Sequence, residues 1–538
     1  MRLCVSVPVC LLATCALLPA AQGAELTLIS SSFEKERPVG FRVGASYSYT
    51  YKTAMITRES LPYFQSPSTM ADVLANYRVP AGQSLSRTEV IPDLIYTQRR
   101  QTLTVGGFLG IVQAIQLGVE LPLVLVDERQ YDLDPRAGWN RCNIGSWGCI
   151  AASSSTYLDG IYPIEPADQT GSLIFRPPLR GGSGADMIDT LNISLTGSPL
   201  YQKRDPSKPT WVIGVEAQIS IGTIMQYDVT RLRLPADSKL VEQSVLNSPE
   251  AQRGWNGVSE GLHRFILRTA LSRRFRTFDP YFGLWYMLPV PRTEAGSPWQ
   301  TDYGFQQKRS MPQHKAGVTF GTEIIPLENK AKGHRLSIDL RGALNVSFLG
   351  RGYSEAWELL AASNALICDD ETALPPPFNY QDNNARPGIT GVTQGTFNPA
   401  CRAPLSQNIP GDTRARLVNP SPSYRQPYSG LTAIADYVSF TADLGVVLKL
   451  FRHLRLRAAF TYQRDQGHVI TMDDAGTTNY ADRNSLNGGR ACIPNRVDLN
   501  CPVDWNPLYR AVINQPGRRY RVDDVNVFGG SAMLQVYY

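Results

Sequence analysis

Many segments of this chain alternate apolar and polar residues with a period of two. In the stretch FRVGASYSYTYK, Phe41, Val43 and Ala45 share one face, while Arg42 and Lys52 lie on the other. Such alternation is typical of a β-strand with one apolar face. Twelve segments show it, at residues 38–56, 89–110, 114–130, 184–195, 209–229, 259–275, 279–291, 313–326, 334–350, 431–451, 454–470 and 521–538.

The lengths of these segments and of their connections narrow the fold further. Most segments exceed the roughly 9–11 residues that a tilted strand needs to cross a bilayer. Their connections alternate between short and long. An even number of strands joined in this way is typical of bacterial outer-membrane barrels. The sequence therefore predicts an all-β fold, a single transmembrane antiparallel up-and-down β-barrel of about 12 strands. It would span residues 38–538, with large extracellular loops near 57–88, 131–183, 230–258, 292–312, 352–430 and 471–520.

A soluble β-sandwich would show the same alternation, because its apolar face packs into a core. The placement of aromatic residues favours the membrane barrel. Tyr47, Tyr49, Phe282, Tyr462 and Tyr538 lie on apolar faces near predicted strand ends. Aromatic side chains form such girdles where a barrel meets the membrane interface.

The first residues predict export. Residues 1–23 combine Arg2, an apolar run and the small-residue sequence AQG, which is the pattern of a signal peptide. Ala24 would be the first mature residue, and residues 24–37 would form a short periplasmic segment. No later stretch reaches the ~18 apolar residues of a membrane helix. The net charge of +6 is not concentrated in runs, so we expect no nucleic-acid partner.

Six cysteines follow the predicted signal peptide, and they come as three local pairs in polar stretches. An even number of cysteines in an exported chain predicts disulfides. Sequence alone allows 15 pairings of six cysteines, and the spacing favours local bridges. No cysteine or histidine cluster suggests zinc. The candidate disulfide residues are Cys142, Cys149, Cys368, Cys401, Cys492 and Cys501.

Three stretches carry a resemblance to a known family. They are VGGFLGIVQAIQLGVELPLVLV, GADMIDTLNISL and LSRRFRTFDPYFGLWYMLP. They resemble the hairpins of transporter-like outer-membrane β-barrel proteins of Gram-negative bacteria, in a style similar to barrels of gliding or predatory soil bacteria. The resemblance implies contact with outer-membrane lipid and with the outer-membrane assembly machinery. It also implies that the C-terminal residues Leu534, Val536 and Tyr538 form an assembly signal, although the family usually ends on Phe.

Charged residues recur on the faces opposite the apolar ones. An Arg or Lys directed toward lipid costs roughly 2–4 kcal/mol at the bilayer midplane, so we expect these residues to line the lumen. They could form a basic channel that favours anions, or pair as structural salt bridges that fill a narrow lumen. The candidates are Arg42, Lys52, Arg100, Glu120, Glu216, Arg264, Arg268, Lys315, Arg341, Asp443, Lys449, Arg455 and Arg457.

These patterns predict a pore, or a transport or export component, for small polar or anionic solutes. The alternative is a non-conducting surface platform or adhesin that anchors an envelope-spanning motility or secretion complex through periplasmic or envelope partners. We expect no enzyme and no cofactor. His468 lies close in sequence to Asp465, but a solvated loop histidine is the simpler interpretation, and no catalytic motif accompanies it.

Overall fold

The fold was examined in a computed structural model. It describes residues 24–29, 40–60, 89–112, 115–134, 136, 187–202, 205–227, 255–293, 297–299, 311–329, 332–361, 429–451, 453–473, 511–514 and 519–538. The predicted signal peptide, all six candidate disulfide cysteines and most of the predicted surface-loop residues lie outside these ranges.

Seventeen strands occur in the described residues, and twelve of them are long. The long strands are β1 (Gly40–Ser60), β2 (Glu89–Val112), β3 (Ile115–Leu133), β4 (Thr190–Leu200), β5 (Thr210–Ser220), β8 (Leu262–Ser272), β9 (Phe278–Pro291), β10 (Lys315–Asn329), β11 (His334–Ser347), β14 (Tyr437–Leu450), β15 (Leu454–Asp465) and β17 (Tyr520–Tyr537). The short ones are β6 (Gln226–Tyr227), β7 (Trp255–Asn256), β12 (Gly350–Gly352), β13 (Thr432–Ile434) and β16 (His468–Val469). The remaining elements are a 3-10 turn, Ala24–Thr27, and the helices α1 (Trp357–Ala361) and α2 (Ala511–Asn514).

The twelve long strands form one closed antiparallel barrel. Each pairs with the next long strand along the chain, and β17 returns to pair with β1. The closing seam runs from Arg42 opposite Tyr537 to Arg58 opposite Tyr520. A closed barrel has no edge strand with unpaired backbone groups. A sheet that spans a membrane must be closed in this way. The predicted twelve-stranded up-and-down barrel is confirmed.

Several strand boundaries differ from those predicted. The strand predicted at 184–195 is observed at Thr190–Leu200, and the one predicted at 209–229 ends at Ser220. Thr196 and Ser198 lie beyond the predicted end of this strand, yet both belong to β4 and are only 3% exposed. In this barrel, polarity marks the inner face of a strand and not its end.

The two faces of the barrel wall have inverted polarity. Along β8, Phe265 and Leu267 are 41% and 56% exposed, whereas Arg264 and Ile266, which alternate with them, are 7% and 2% exposed. Exposed apolar side chains recur in this way on all twelve long strands. A continuous apolar outer band over a polar interior is what a lipid environment requires. The protein is therefore a transmembrane β-barrel. None of the helices in the described ranges is long and apolar enough to span a membrane.

The barrel has two dissimilar ends. The short connections, the first residue of β1 and Tyr538 lie at one end, here called the turn end. The opposite end, the loop end, carries the long connections. There the inner face becomes apolar, since Ile56, Leu94, Val522 and Val525 are all 0% exposed. The loop end thus holds a core like that of a soluble protein.

Candidate functional site: the barrel lumen

The N-terminal segment Ala24–Ile29 lies against the inner face of the wall. Thr27 and Ile29 are 5% and 4% exposed, and Thr27 Oγ1 lies 2.7 Å from Ser272 Oγ near the turn end of β8. Leu26 rests on Gly283 of β9, where a Cβ atom would approach Leu26 Cδ2 to 2.7 Å. This segment narrows the lumen along the β8–β9 wall.

A buried ionic network covers the wall from β9 to β15. Arg457 donates to Asp443 at 2.8 Å and to Asp339 at 3.3 Å, and Arg341 donates to Asp339 at 2.6 Å. The Tyr281 hydroxyl donates to the same Asp339 carboxylate at 2.7 Å. Mutual neutralisation and hydrogen bonding offset part of the desolvation cost of these charges. Within this network the arginines are matched by carboxylates, so its charges form salt bridges and not a freely available basic surface.

Large inner side chains lie along the wall and not across the lumen. Arg268 covers Gly214, its register partner, so closely that a Cβ atom there would approach Arg268 Nε to 2.7 Å. Tyr281 covers Gly321 in the same manner, with its hydroxyl 2.3 Å from that Cβ position. At these two positions, glycine on one strand seats a large side chain from the next.

A basic row lies near the turn end. Arg335, Lys449 and Arg455 are direct register partners on β11, β14 and β15. Arg335 also pairs with Glu323 at 2.6 Å. Arg42 lies farther along the wall, with its guanidinium 4.0 Å from the Phe108 ring centroid. Like charges placed directly opposite on neighbouring strands repel each other.

The other candidate lumen residues occupy the same polar face. Lys52 pairs with Glu355 at 2.6 Å, and Arg264 pairs with Glu260. Arg100 lies 3.7 Å from Asp127 and 3.6 Å from Asp189. Arg268 lies 3.9 Å from Glu216, Glu120 neighbours Gly106, and Lys315 is in register with Ser347. Each acid or base thus has a position on the wall, and most have an oppositely charged neighbour.

Asp127, Arg129 and Tyr131 also lie on the inner face, although the parity of the sequence does not predict it. The parity of β3 places odd-numbered residues up to Leu125 on the apolar face. The pairing of β2 with β3 shifts at that point, from Thr102 opposite Val124 to Gln101 opposite Val126. Leu125 is the extra residue of a β-bulge, and a bulge reverses the facing of everything beyond it.

A segment at residues 350–361, here called the strap, crosses the lumen at the loop end. It follows β11, the ninth long strand around the ring, and contacts β1 and β3, the first and third. Lys52 binds Glu355, Arg129 binds Glu358, and the Tyr131 hydroxyl donates to the Glu355 carbonyl at 2.5 Å. In a ring of twelve, β3 is diametrically opposite β11. The strap therefore reaches from one wall to the other.

The strap is tightly packed. Every residue of α1 is buried, with Glu358, Leu359 and Leu360 at 0% exposure. The Tyr353 ring meets the Trp357 ring edge-on at 4.6 Å, and the Tyr353 hydroxyl donates to the Met225 carbonyl at 2.7 Å. β1 continues from Lys52 to Ser60, so these contacts lie below the rim of the wall. The strap obstructs the lumen from within.

The two strap carboxylates are in unequal environments. Burial raises the pKa of Glu358 to about 7, since its partner Arg129 offsets the desolvation only in part and the nearby Asp127 carboxylate repels it. Burial opposes ionisation of Glu355 as well, but Lys52 outweighs it and holds the pKa of Glu355 below its usual range. Glu355 is thus a well-accommodated anion, whereas Glu358 is a poorly accommodated one.

His468 is a buried and stacked residue. It is 6% exposed, and its ring lies parallel to the Tyr437 ring with centroids 3.9 Å apart. Its Nδ1 atom lies 2.8 Å from the Gln466 carbonyl oxygen, and burial lowers the pKa of His468. In the described ranges, no group of three or more His, Cys, Asp or Glu side chains could hold a metal ion.

Comparisons with known proteins find structural likeness without sequence relationship. No protein-family model matches the chain, and no curated protein matches its sequence. Among solved structures, an outer-membrane channel of the group COG4313 from Pseudomonas putida F1 is 8% identical, with a TM-score of 0.31 over 93% of this chain and 95% of that chain.

Two further structures are similar at the same level. The TodX monoaromatic hydrocarbon channel is 7% identical, with a TM-score of 0.27 over 96% of this chain and 94% of that chain. A FadL homologue from Pseudomonas aeruginosa is 8% identical, with a TM-score of 0.26 over 93% and 90%. At these scores the likeness carries no argument about solutes, and nothing in it supports a gliding or predatory source.

Proposed function

We propose that this barrel is an outer-membrane channel or transport component for small polar solutes, with a preference for anions. The observation that carries the proposal is the charged inner wall, where long side chains lie flat over glycines such as Gly214 and Gly321. A barrel built only for anchoring has no need of such a surface. The turn end would face the periplasm and the loop end the exterior, as in bacterial barrels with short periplasmic turns.

The preference for anions follows from the row Arg335, Lys449 and Arg455 with nearby Arg42. The row places like charges in direct register, and an anion passing beside it relieves their repulsion. Positive side chains that line a pore raise the local concentration of anions.

Planar-bilayer recording of the purified protein tests the channel and its selectivity together. Stepwise currents with an anion-selective reversal potential are expected. The double variant Lys449→Glu and Arg455→Glu should move that potential toward cations. Lys208→Glu, an exposed change in the turn between β4 and β5, is the matched control and should leave it unchanged. The absence of stepwise current, both from wild type and from variants that loosen the strap, would refute the channel.

A non-conducting surface platform is the second candidate. The strap across the loop end and the N-terminal segment along the β8–β9 wall favour it, because both reduce the open cross-section. In that case the long connections would bind envelope partners or other surfaces. Cross-linking of the intact protein in cells, followed by identification of bound partners, would separate a platform from a channel that acts alone.

A further inference from the structure

The strap rests on a cationic row of the barrel wall. Lys52 and Arg129 are both register partners of Gln98, one on each side of it, on β1, β3 and β2 respectively. Arg100 lies two residues along β2 on the same face. The Gln98 amide donates to Asp127 at 2.7 Å. The Lys52–Gln98–Arg129 row therefore places two cations on either side of an amide on the inner face, with the Asp127 carboxylate bound to both Gln98 and Arg129.

Two carboxylates of the chain itself occupy this row. Glu355 binds Lys52, and Glu358, one helical turn later, binds Arg129. Both come from a segment that starts on the opposite wall. Their side chains are 10% and 0% exposed, so both contacts are shielded from solvent.

The fit of the second carboxylate is incomplete. Glu358 Oε2 is buried and makes no hydrogen bond of good geometry with the described residues, and the nearby Tyr131 hydroxyl, which donates to the Glu355 carbonyl, stabilises its charge only in part. A buried acceptor without a donor is costly. Glu358 must also share Arg129 with Asp127. A carboxylate that is not tied to the strap backbone is free to turn both of its oxygens toward donors, which Glu358 does not achieve.

We propose that the Lys52–Gln98–Arg129 row is a binding site for a small organic dicarboxylate, that the strap carboxylates occupy it in its absence, and that the ligand displaces the strap and opens the lumen. The inference rests on the proposed channel function. Two carboxylates are assigned to the ligand because the row holds two, one on each cation. The pair Lys52–Glu355 is the latch, since it is the well-satisfied contact.

Hydrogen–deuterium exchange of residues 353–361 in the detergent-solubilised protein tests the latch without requiring conduction. Glu355→Gln should speed exchange of these amides by about tenfold, because it removes the ion pair and keeps the side-chain size. The swap Lys52→Glu with Glu355→Lys should restore slow exchange. Glu328→Gln removes the charge of a pair with Arg274 at the turn end and is the matched control.

Succinate is the probe for the ligand. It should speed exchange of residues 353–361 in wild type and in the Glu328→Gln control. Sodium chloride at equal ionic strength should not, and an equal effect of both salts would overturn the site because it would reflect screening alone. Slow exchange in Glu355→Gln, in protein whose heat-shifted gel mobility shows an intact barrel, would overturn the latch.

Conductance of the same preparations separates the two proposals. Faster exchange with no current in any variant would leave the latch standing and refute the channel. Equal currents in wild type and Glu355→Gln, with equal exchange, would leave the channel standing and refute the latch. Longer open times in Glu355→Gln and in succinate-treated wild type are the result expected if both are correct.

Discussion

Raising the pH should loosen the strap, because the titration of Glu358 determines the direction in which docking depends on pH. The ordinary pKa of this group is 4.5, and burial raises it to about 7 in the docked strap. The docked strap therefore holds the Glu358 proton more tightly than the released strap does. By linkage, docking is favoured at low pH and weakens as the pH rises through 7.

The magnitude follows from the two pKa values. Integration of the linkage relation from pH 6 to pH 8 gives a loss of about 1.3 kcal/mol, roughly tenfold in the docking equilibrium. The groups facing Glu358 are Arg129, Asp127 and Tyr131 of β3, together with Tyr96 of β2. Within the strap, Glu355 remains ionised over this range because its pKa is lowered. Burial lowers the pKa of His468, a neighbour of Glu355.

Protection factors of residues 353–361, corrected for the intrinsic pH dependence of exchange, measure this effect. They should fall about tenfold between pH 6 and pH 8 in wild type. Glu358→Gln should abolish that slope and protect the strap at least as well as wild type at pH 8. Glu328→Gln should keep the slope. Protection that rises with pH, or an unchanged slope in Glu358→Gln, would refute the account.

Three further outcomes are expected. Arg457→Met leaves Asp339 without one of its two cations in a buried site and should destabilise the barrel by about 3–5 kcal/mol, measured as urea-induced loss of heat-modifiable mobility. Arg464→Met, in an exposed pair, should cost under about 1 kcal/mol. Deleting residues 536–538 removes part of the seam with β1 and should reduce the folded fraction in membranes while export continues. Non-reducing peptide mapping should show three local disulfides, and a bridge between different loops would contradict the spacing argument.

The barrel could be predicted from sequence because its determinants are local. Successive side chains of a strand point alternately to the two faces of the sheet. Lipid outside and water inside make the outer face apolar and the inner face polar, which is the reverse of a soluble protein, but the period of two is unchanged. On β8, Phe265 and Leu267 on one face and Arg264 and Arg268 on the other already show the pattern. Strand ends were less certain, because polar residues such as Thr196 continue a strand whose inner face is polar.

The C-terminal seam could also be predicted from local sequence. Tyr538 donates its backbone N–H to the Phe41 carbonyl at 2.9 Å, and its ring lies 6.2 Å from that of Phe41. The alternation up to the last residue indicated a strand, and an even count of strands required it to close on the first. The assembly role of Leu534, Val536 and Tyr538 remains a prediction.

The tertiary structure alone decided what obstructs the lumen. Residues 350–361 carry no period that distinguishes them from other loop sequence, and their partners Lys52 and Arg129 are distant along the chain. The bulge at Leu125, which turns Arg129 inward, leaves no mark in the alternation before it. Local patterning therefore determined the wall, because each residue meets lipid or lumen by parity. Only the closed ring determined the strap, because it brings opposite walls within reach of one short segment.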